Sequence, residues 1–295
     1  MTDVASTERE LPSNWGRWGP DDEQGTLNFI TDEVRRRGVA EARTGQVVSL
    51  AMPVTPVLLA GGGPVPQGLS PMPAGVLQMM GYTGTPANVD TLVINSHHAT
   101  LTHIDALSHV TLDGEVYPGV PHAAATAGGT IRHGSTAAFA NGIVTRGVLL
   151  DLAPGSRLES GYSVTASDLE RAERTGGVRV ESGDALMIRG GWTLVKDFIE
   201  QPFPFITLDV VEWMNEREVS ILASDIGDRP PSEGAPMALH AVALPRLGMP
   251  LIDVAELALL GATCSELGRY NFLFSLGVMA IHGTTGLPVN PLAIF

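Results

Sequence analysis

One cysteine, Cys264, and one lysine, Lys196, occur in 295 residues. A single thiol closes no intramolecular disulfide and cannot build a cysteine-based zinc finger, so a stapled framework and a zinc finger of that kind are both excluded. Cys264 is expected to be a small buried hydrophobe. The remaining cations are 17 arginines against 32 acidic residues, a formal net charge of −14. Clustered cations that neutralise phosphates are therefore scarce, and no nucleic-acid partner is expected. The densest basic run, Arg35-Arg36-Arg37, follows Asp32 and Glu33 and reads as a solvated helix face. No apolar run reaches the ~18 residues that a membrane span needs, and the opening MTDVASTERELPSN holds no apolar signal core. The expectation is a cytoplasmic chain with no membrane partner. Charged residues make up only 17% and hydrophobic residues 44%, the balance of a globular protein.

No internal repeat and no convincing linker divides the chain, so residues 1–295 read as one domain. The N-terminal arm, to about residue 30, places Trp15 and Trp18 among turn formers. Burying them requires packing against the body or a neighbouring subunit. Thr31 can cap a helix running from Asp32 to about Arg43, with Gly45 placed to end it. Residues 52–88 hold seven glycines and seven prolines, among them Gly61-Gly62-Gly63 and Pro71-Met72-Pro73, and read as a long loop without regular structure. Met79, Met80 and Tyr82 suggest a lid or a surface excursion there. Strands are expected at Thr91–Asn95, Gly147–Leu152, Ala185–Arg189, Val219–Ala223 and Phe272–Val278. Helices are expected at Ala166–Arg174 after the Thr165 cap, at Leu208–Arg217 and around Met237–Leu244. Strands alternating with helices indicate an α/β chain with a largely buried sheet.

Four of the eight histidines, His97, His98, His103 and His109, fall within thirteen residues. If the chain is extended through His103, then His103 and Asp105 project to one face, and an imidazole with a carboxylate suits a borderline divalent ion such as zinc or manganese. If it then turns helical, His109 returns over the same spot without being a ligand. A buried, hydrogen-bonded histidine is the bland alternative. His122 and His133 read as loop residues, and His282 as structural or pocket-lining. Ser96 and Ser108 lie in no Gly-x-Ser-x-Gly elbow, and the Gly61–Gly63 run lacks the Lys-Ser/Thr of a phosphate loop.

The segment from Ser96 to His109 resembles the signature of the metal-dependent cyclase family that includes bacterial kynurenine formamidases, His-x-x-x-His-x-Asp with a further His four residues on. Further blocks resemble the family's longer branch of roughly 300 residues. They are Asn14-Trp-Gly-Arg-Trp-Gly with Gly25-Thr-Leu-Asn28, Asp113-Gly114, Gly142 to Asp151, Gly183-Asp184 with Ile188-Arg-Gly-Gly-Trp192, Leu239-His240, and Gly286 to Phe295. The resemblance implies a swivelling β/β/α domain, commonly a homodimer or homotetramer, with His103 and Asp105 as metal ligands and His109 as the catalytic histidine. It also implies a second ligand pair, matched by His240 and by Asp253 thirteen residues on, with Glu256 as the fallback carboxylate. At the family's first histidine stands Ala99, which binds no metal. Alternation puts His97 on the face of His103, while His98 lies nearer in sequence and is the preferred replacement.

The implied activity is hydrolysis of an amide carbon–nitrogen bond in a small molecule, with N-formylkynurenine as the reference substrate and one or two zinc or manganese ions as cofactor. Its rivals are a lactone or cyclic-imide hydrolase, a polyketide-type cyclase, and, because of Ala99, a metal-free inactive relative or binding protein.

Overall fold

The computed structural model describes residues 11–58, 76–82, 88–193, 202–229 and 237–295. Its centre is a nine-stranded mixed sheet, whose strands we number in chain order: β1 (Val47–Ser49), β2 (His103–Asp105), β3 (Ile143–Asp151), β4 (Ala185–Arg189), β5 (Ile221–Ser224), β6 (Leu251–Asp253), β7 (Asn271–Leu276), β8 (Gly286–Pro288) and β9 (Leu292–Ile294). The spatial order is β1-β9-β7-β3-β4-β5-β6-β2-β8. Strands β3 to β6 run parallel, and both flanks are antiparallel. Parallel neighbours need crossovers. After α1 (Asp32–Val39), which precedes β1, the crossovers carry α2 (Ala166–Gly176) between β3 and β4, α3 (Leu208–Glu216) between β4 and β5, and a π-helix (Ala238–Leu247) between β5 and β6. The last helix is α4 (Ala258–Leu267). Every residue of β4 and of β5 is buried, which is why Ala185–Ile188 and Ile221–Ala223 are continuous apolar runs rather than alternating ones.

Most expected elements form near their expected places, and Ala185–Arg189 forms as read. The first helix is shorter than expected. Thr31 caps it by accepting from the Val34 amide, but it stops at Val39 and turns toward β1. Gly38 lets it lie against β3, since a Cβ there would stand 2.4 Å from the Thr145 carbonyl carbon. The basic run is not wholly solvated either. Arg37 reaches Glu181 and the fully buried Asp184, at 3.0 and 2.9 Å.

The expectation of an unstructured 52–88 is corrected. Val57–Leu58, Val76–Tyr82 and Asn88–Ile94 form a three-stranded sheet. Glycine and proline density averaged over the whole window hides a seven-residue stretch, Val76–Tyr82, with no proline and one glycine, that pairs antiparallel with Asn88–Ile94. Gly61–Gly63 and Pro71–Pro73 lie outside the described residues. The arm packs as one of its two readings required. Asn14 donates to the Arg246 and Leu247 carbonyls, and the Trp15 indole donates to Pro245 at 2.7 Å. It thereby braces the end of the π-helix. Cys264 is free and fully buried. No helix among the described residues is long and apolar enough to cross a membrane.

Candidate active site

Strand β2 is the hinge of the site. Sandwiched between β6 and β8, it is buried along its length, and its first and third residues, His103 and Asp105, share a face as the two-residue period requires. Register places His103 opposite Asp253 at the end of β6. His240 arrives from the first turn of the π-helix, where Asp228 accepts from the Leu239 and His240 amides at 2.7 and 2.8 Å and from His240 Nδ1 at 2.8 Å. One carboxylate thus caps the helix and orients the imidazole. That contact leaves His240 Nε2 facing Asp105 Oδ2 at 3.3 Å and Asp253 Oδ2 at 3.2 Å.

The segment before β2 is not extended. Two successive turns, with His98 N donating to Asn95 O and Leu101 N to His98 O, carry His97 back over the strand. His97 Nδ1 lies 2.9 Å from Asp105 Oδ1, and the His97 and His103 rings meet edge to face at 5.2 Å. His98 points elsewhere, its Nδ1 held by the Thr100 hydroxyl at 2.8 Å. Of the two histidines that could stand in for Ala99, the structure therefore brings His97, not the preferred His98, into the cluster. Ala99 itself is exposed.

His109 reaches the cluster without a helix. A tight turn, closed by His109 N donating to Ala106 O at 2.9 Å, returns it over β2, where its ring stacks on His97 with centroids 3.7 Å apart and planes 6° apart. Glu256 is not in the cluster; its carboxylate accepts from the Ala258 amide at the start of α4. His122 is exposed, His133 hydrogen-bonds the Tyr117 carbonyl, and His282 lines a small cavity with Glu23 and Arg132. Asp228 and Thr285, whose Oγ1 lies 3.0 Å from His97 Nε2, are contributors that sequence reasoning missed. Asp228 had only one signal, a carboxylate just beyond a strand end and twelve residues before His240.

The electrostatics follow from this crowding. Burial alone would raise the Asp105 pKa, yet His240, His97, His109 and His103 surround it and hold it well below the usual carboxylate range. Burial opposes protonation of His240, but Asp105, Asp228 and Asp253 outweigh it and push the imidazole up to about 12. For His109 desolvation prevails over the attraction of Asp105, and its pKa falls to about 4, so it is neutral near pH 7.

Whether these residues suit a metal ion is answered by their unmet valences. Both oxygens of Asp105 and Nδ1 of His97 are buried without a well-aligned hydrogen bond, despite the short distances between them. Buried polar atoms left in this state are costly. Nδ1 of His103 is occupied by the Leu101 carbonyl at 2.8 Å, which fixes its proton there and frees Nε2. His97, His103 and Asp105 offer ligand atoms within 4.8 Å of one another, as do Asp105, His109 and His240. The donor set of imidazoles and carboxylates fits a borderline divalent ion. Beside it opens a cleft of about 530 Å³ lined by Ser96, Thr126, Thr130, Ile131 and the 283–286 segment.

No curated protein matches the chain closely enough to count as a relative. Among solved structures, one described as a novel cyclase is 28% identical and superposes with a TM-score of 0.81, covering 96% of this chain and 100% of its own. Isatin hydrolase A from Ralstonia solanacearum is 19% identical over 84% of this chain and 91% of its own, TM-score 0.59. Isatin hydrolase A from Labrenzia aggregata is 16% identical over 88% and 97%, also at 0.59. These two share the fold. The family model described as "Putative cyclase" matches residues 41–228, a span that holds more than half of the chain and includes β2, His97, His109 and Asp228. On that match, the chain belongs to the cyclase family.

Proposed function

We propose that this protein is a metal-dependent hydrolase that cleaves the carbon–nitrogen bond of an amide. The observation that carries this reading is Asp105, fully buried, with both oxygens lacking an aligned hydrogen bond and turned toward three imidazoles. His97, His103, Asp105, His240 and Asp253 would hold the ion or ion pair, zinc or manganese. Bound there, such an ion supplies Lewis acidity, drawing electron density from a substrate carbonyl and making water a better nucleophile near neutral pH.

The chain's own groups account for the remaining chemistry. His109, held neutral by burial, can accept the proton of the attacking water. Once protonated, it can hand that proton to the departing nitrogen, which leaves as the neutral amine. Its stacking on His97 keeps the ring from swinging away between the two transfers. The volume of the adjoining cleft, within the ~300–1,000 Å³ typical of small-molecule sites, supports a substrate of the size of an aryl amide such as N-formylkynurenine. A cyclic amide is the second reading, supported by the fold shared with isatin hydrolases. Lactones would meet the same groups.

The test is metal analysis of protein purified without added metal, followed by turnover of N-formylkynurenine, isatin and a lactone panel by the zinc- or manganese-loaded protein. The amides should be hydrolysed. Inactivity on every amide would overturn the proposal, as would retention of metal and activity in both His103→Ala and Asp105→Ala.

A further inference from the structure

The place left vacant by Ala99 is served from the far end of the chain. Thr285 and Gly286 stand at the head of β8, the edge strand that pairs with β2, and Gly286 lies opposite Asp105 in register. Thr285 is tied down by its own backbone, its carbonyl accepting from the Ala106 amide at 2.9 Å. Its hydroxyl meets His97 Nε2 at 3.0 Å. Gly286 supplies the space, since a Cβ there would stand 2.5 Å from His97 Cε1.

The state of His97 can be read from its two nitrogens. A proton on Nδ1 would be buried and would miss Asp105, because the 2.9 Å approach is not aligned as a hydrogen bond. A proton on Nε2 has an acceptor waiting in Thr285 Oγ1. The arrangement therefore favours Nε2–H, which leaves the Nδ1 electron pair turned toward the same region as Asp105 and His103 Nε2. His109, stacked on the ring face, restrains rotation about the remaining direction.

We propose that Thr285 is a positioning residue which, with the gap at Gly286, makes His97 Nδ1 the metal ligand that Ala99 cannot be. This rests on the metal-hydrolase reading above. The relocated histidine comes two residues earlier than the position it replaces, and the turns at 95–101 deliver it. The nitrogen it offers is Nδ1, whereas His103 and His240 offer Nε2.

The experiment is zinc titration of the full-length protein by competition with a chromophoric chelator, joined to long-range proton–nitrogen NMR of the zinc-loaded, nitrogen-15-labelled protein. In the wild type His97 should show a protonated Nε2 and a metal-shifted Nδ1. Thr285→Val should weaken zinc binding by about 10–100-fold, the usual effect of losing a partner that orients a ligand. Thr285→Ser, which keeps the hydroxyl, should restore both affinity and the NMR signature, and His98→Ala should leave both unchanged. Zinc bound at wild-type affinity by Thr285→Val, or a wild-type His97 that carries its proton on Nδ1, would overturn this proposal and leave the metal site standing. A wild-type protein that binds no zinc or manganese would instead overturn the metal-site reading, and this proposal with it.

Discussion

At the scale of single residues, the site separates groups that gather charge from one that avoids it. Asp105 and His240 are driven to opposite charges by contact, whereas His109, a few ångströms away, is kept neutral by loss of water. Replacing His109 with alanine should accordingly cost about 10²–10⁴-fold in kcat, the range for a positioned acid–base group. Metal content, measured by elemental analysis, should stay at the wild-type level. If the metal were lost with the imidazole, His109 would be a ligand rather than a proton carrier. The same paired measurement separates Asp105→Asn, which should lose metal and turnover together because the carboxylate faces the whole cluster.

At the scale of elements, the site depends on how helices begin and how closely they pack. Asp228 takes three contacts at the start of the π-helix, two backbone amides and His240 Nδ1. Asp228→Ala should lower stability by about 1 kcal/mol, as loss of a helix cap does. It should also release His240, weakening zinc binding by about 10–100-fold. Urea midpoints and metal titration read the two effects separately. Far from the site, α1 lies on β3 with no room for a side chain at Gly38. Because the obstructing atoms are backbone of Thr145 and Arg146, Gly38→Ala should cost about 1–3 kcal/mol by forcing the layers apart. A lower urea midpoint at unchanged slope would show it.

At the scale of the whole molecule, burial of acids shapes the response to pH. Desolvation pushes Asp184 up to about 6 and Asp225 up to about 7, from 3.8, because their arginine and backbone partners do not make up for lost water. A raised folded-state pKa means that the folded chain binds protons the unfolded chain has released. The stability this contributes is fully present below about pH 4 and is lost as pH rises through 6 and 7. His109, lowered from 6.5 to about 4, works with the opposite sign across part of that window. Metal-free His109→Ala should therefore lose stability more steeply between pH 4 and 7 than metal-free wild type, as measured by urea unfolding at several pH values. A flat profile in the variant would contradict it.

How much was legible in the sequence follows from the range of the forces involved. Strand β4, the α2 cap at Thr165 and the pairing of His103 with Asp105 on one face depend on local pattern and can be read from neighbouring residues alone. The histidine cluster was visible there too, whereas His240 and Asp253 were candidates only through the resemblance to the cyclase family. What stayed hidden depended on contacts between remote segments. The strand at Val76–Tyr82 exists because Asn88–Ile94 pairs with it, against a composition that argues for loop. The choice of His97 over His98 was made by turns at 95–101 and by Thr285, nearly two hundred residues on. Asp228 became a partner of His240 only when the short strand Gly227–Asp228 packed against the start of the π-helix. Residue types and short periods settle which chemistry is available and which face of a strand carries it. Only tertiary structure decides which imidazole meets which carboxylate, because hydrogen bonds and desolvation act over a few ångströms in space, whatever the separation along the chain.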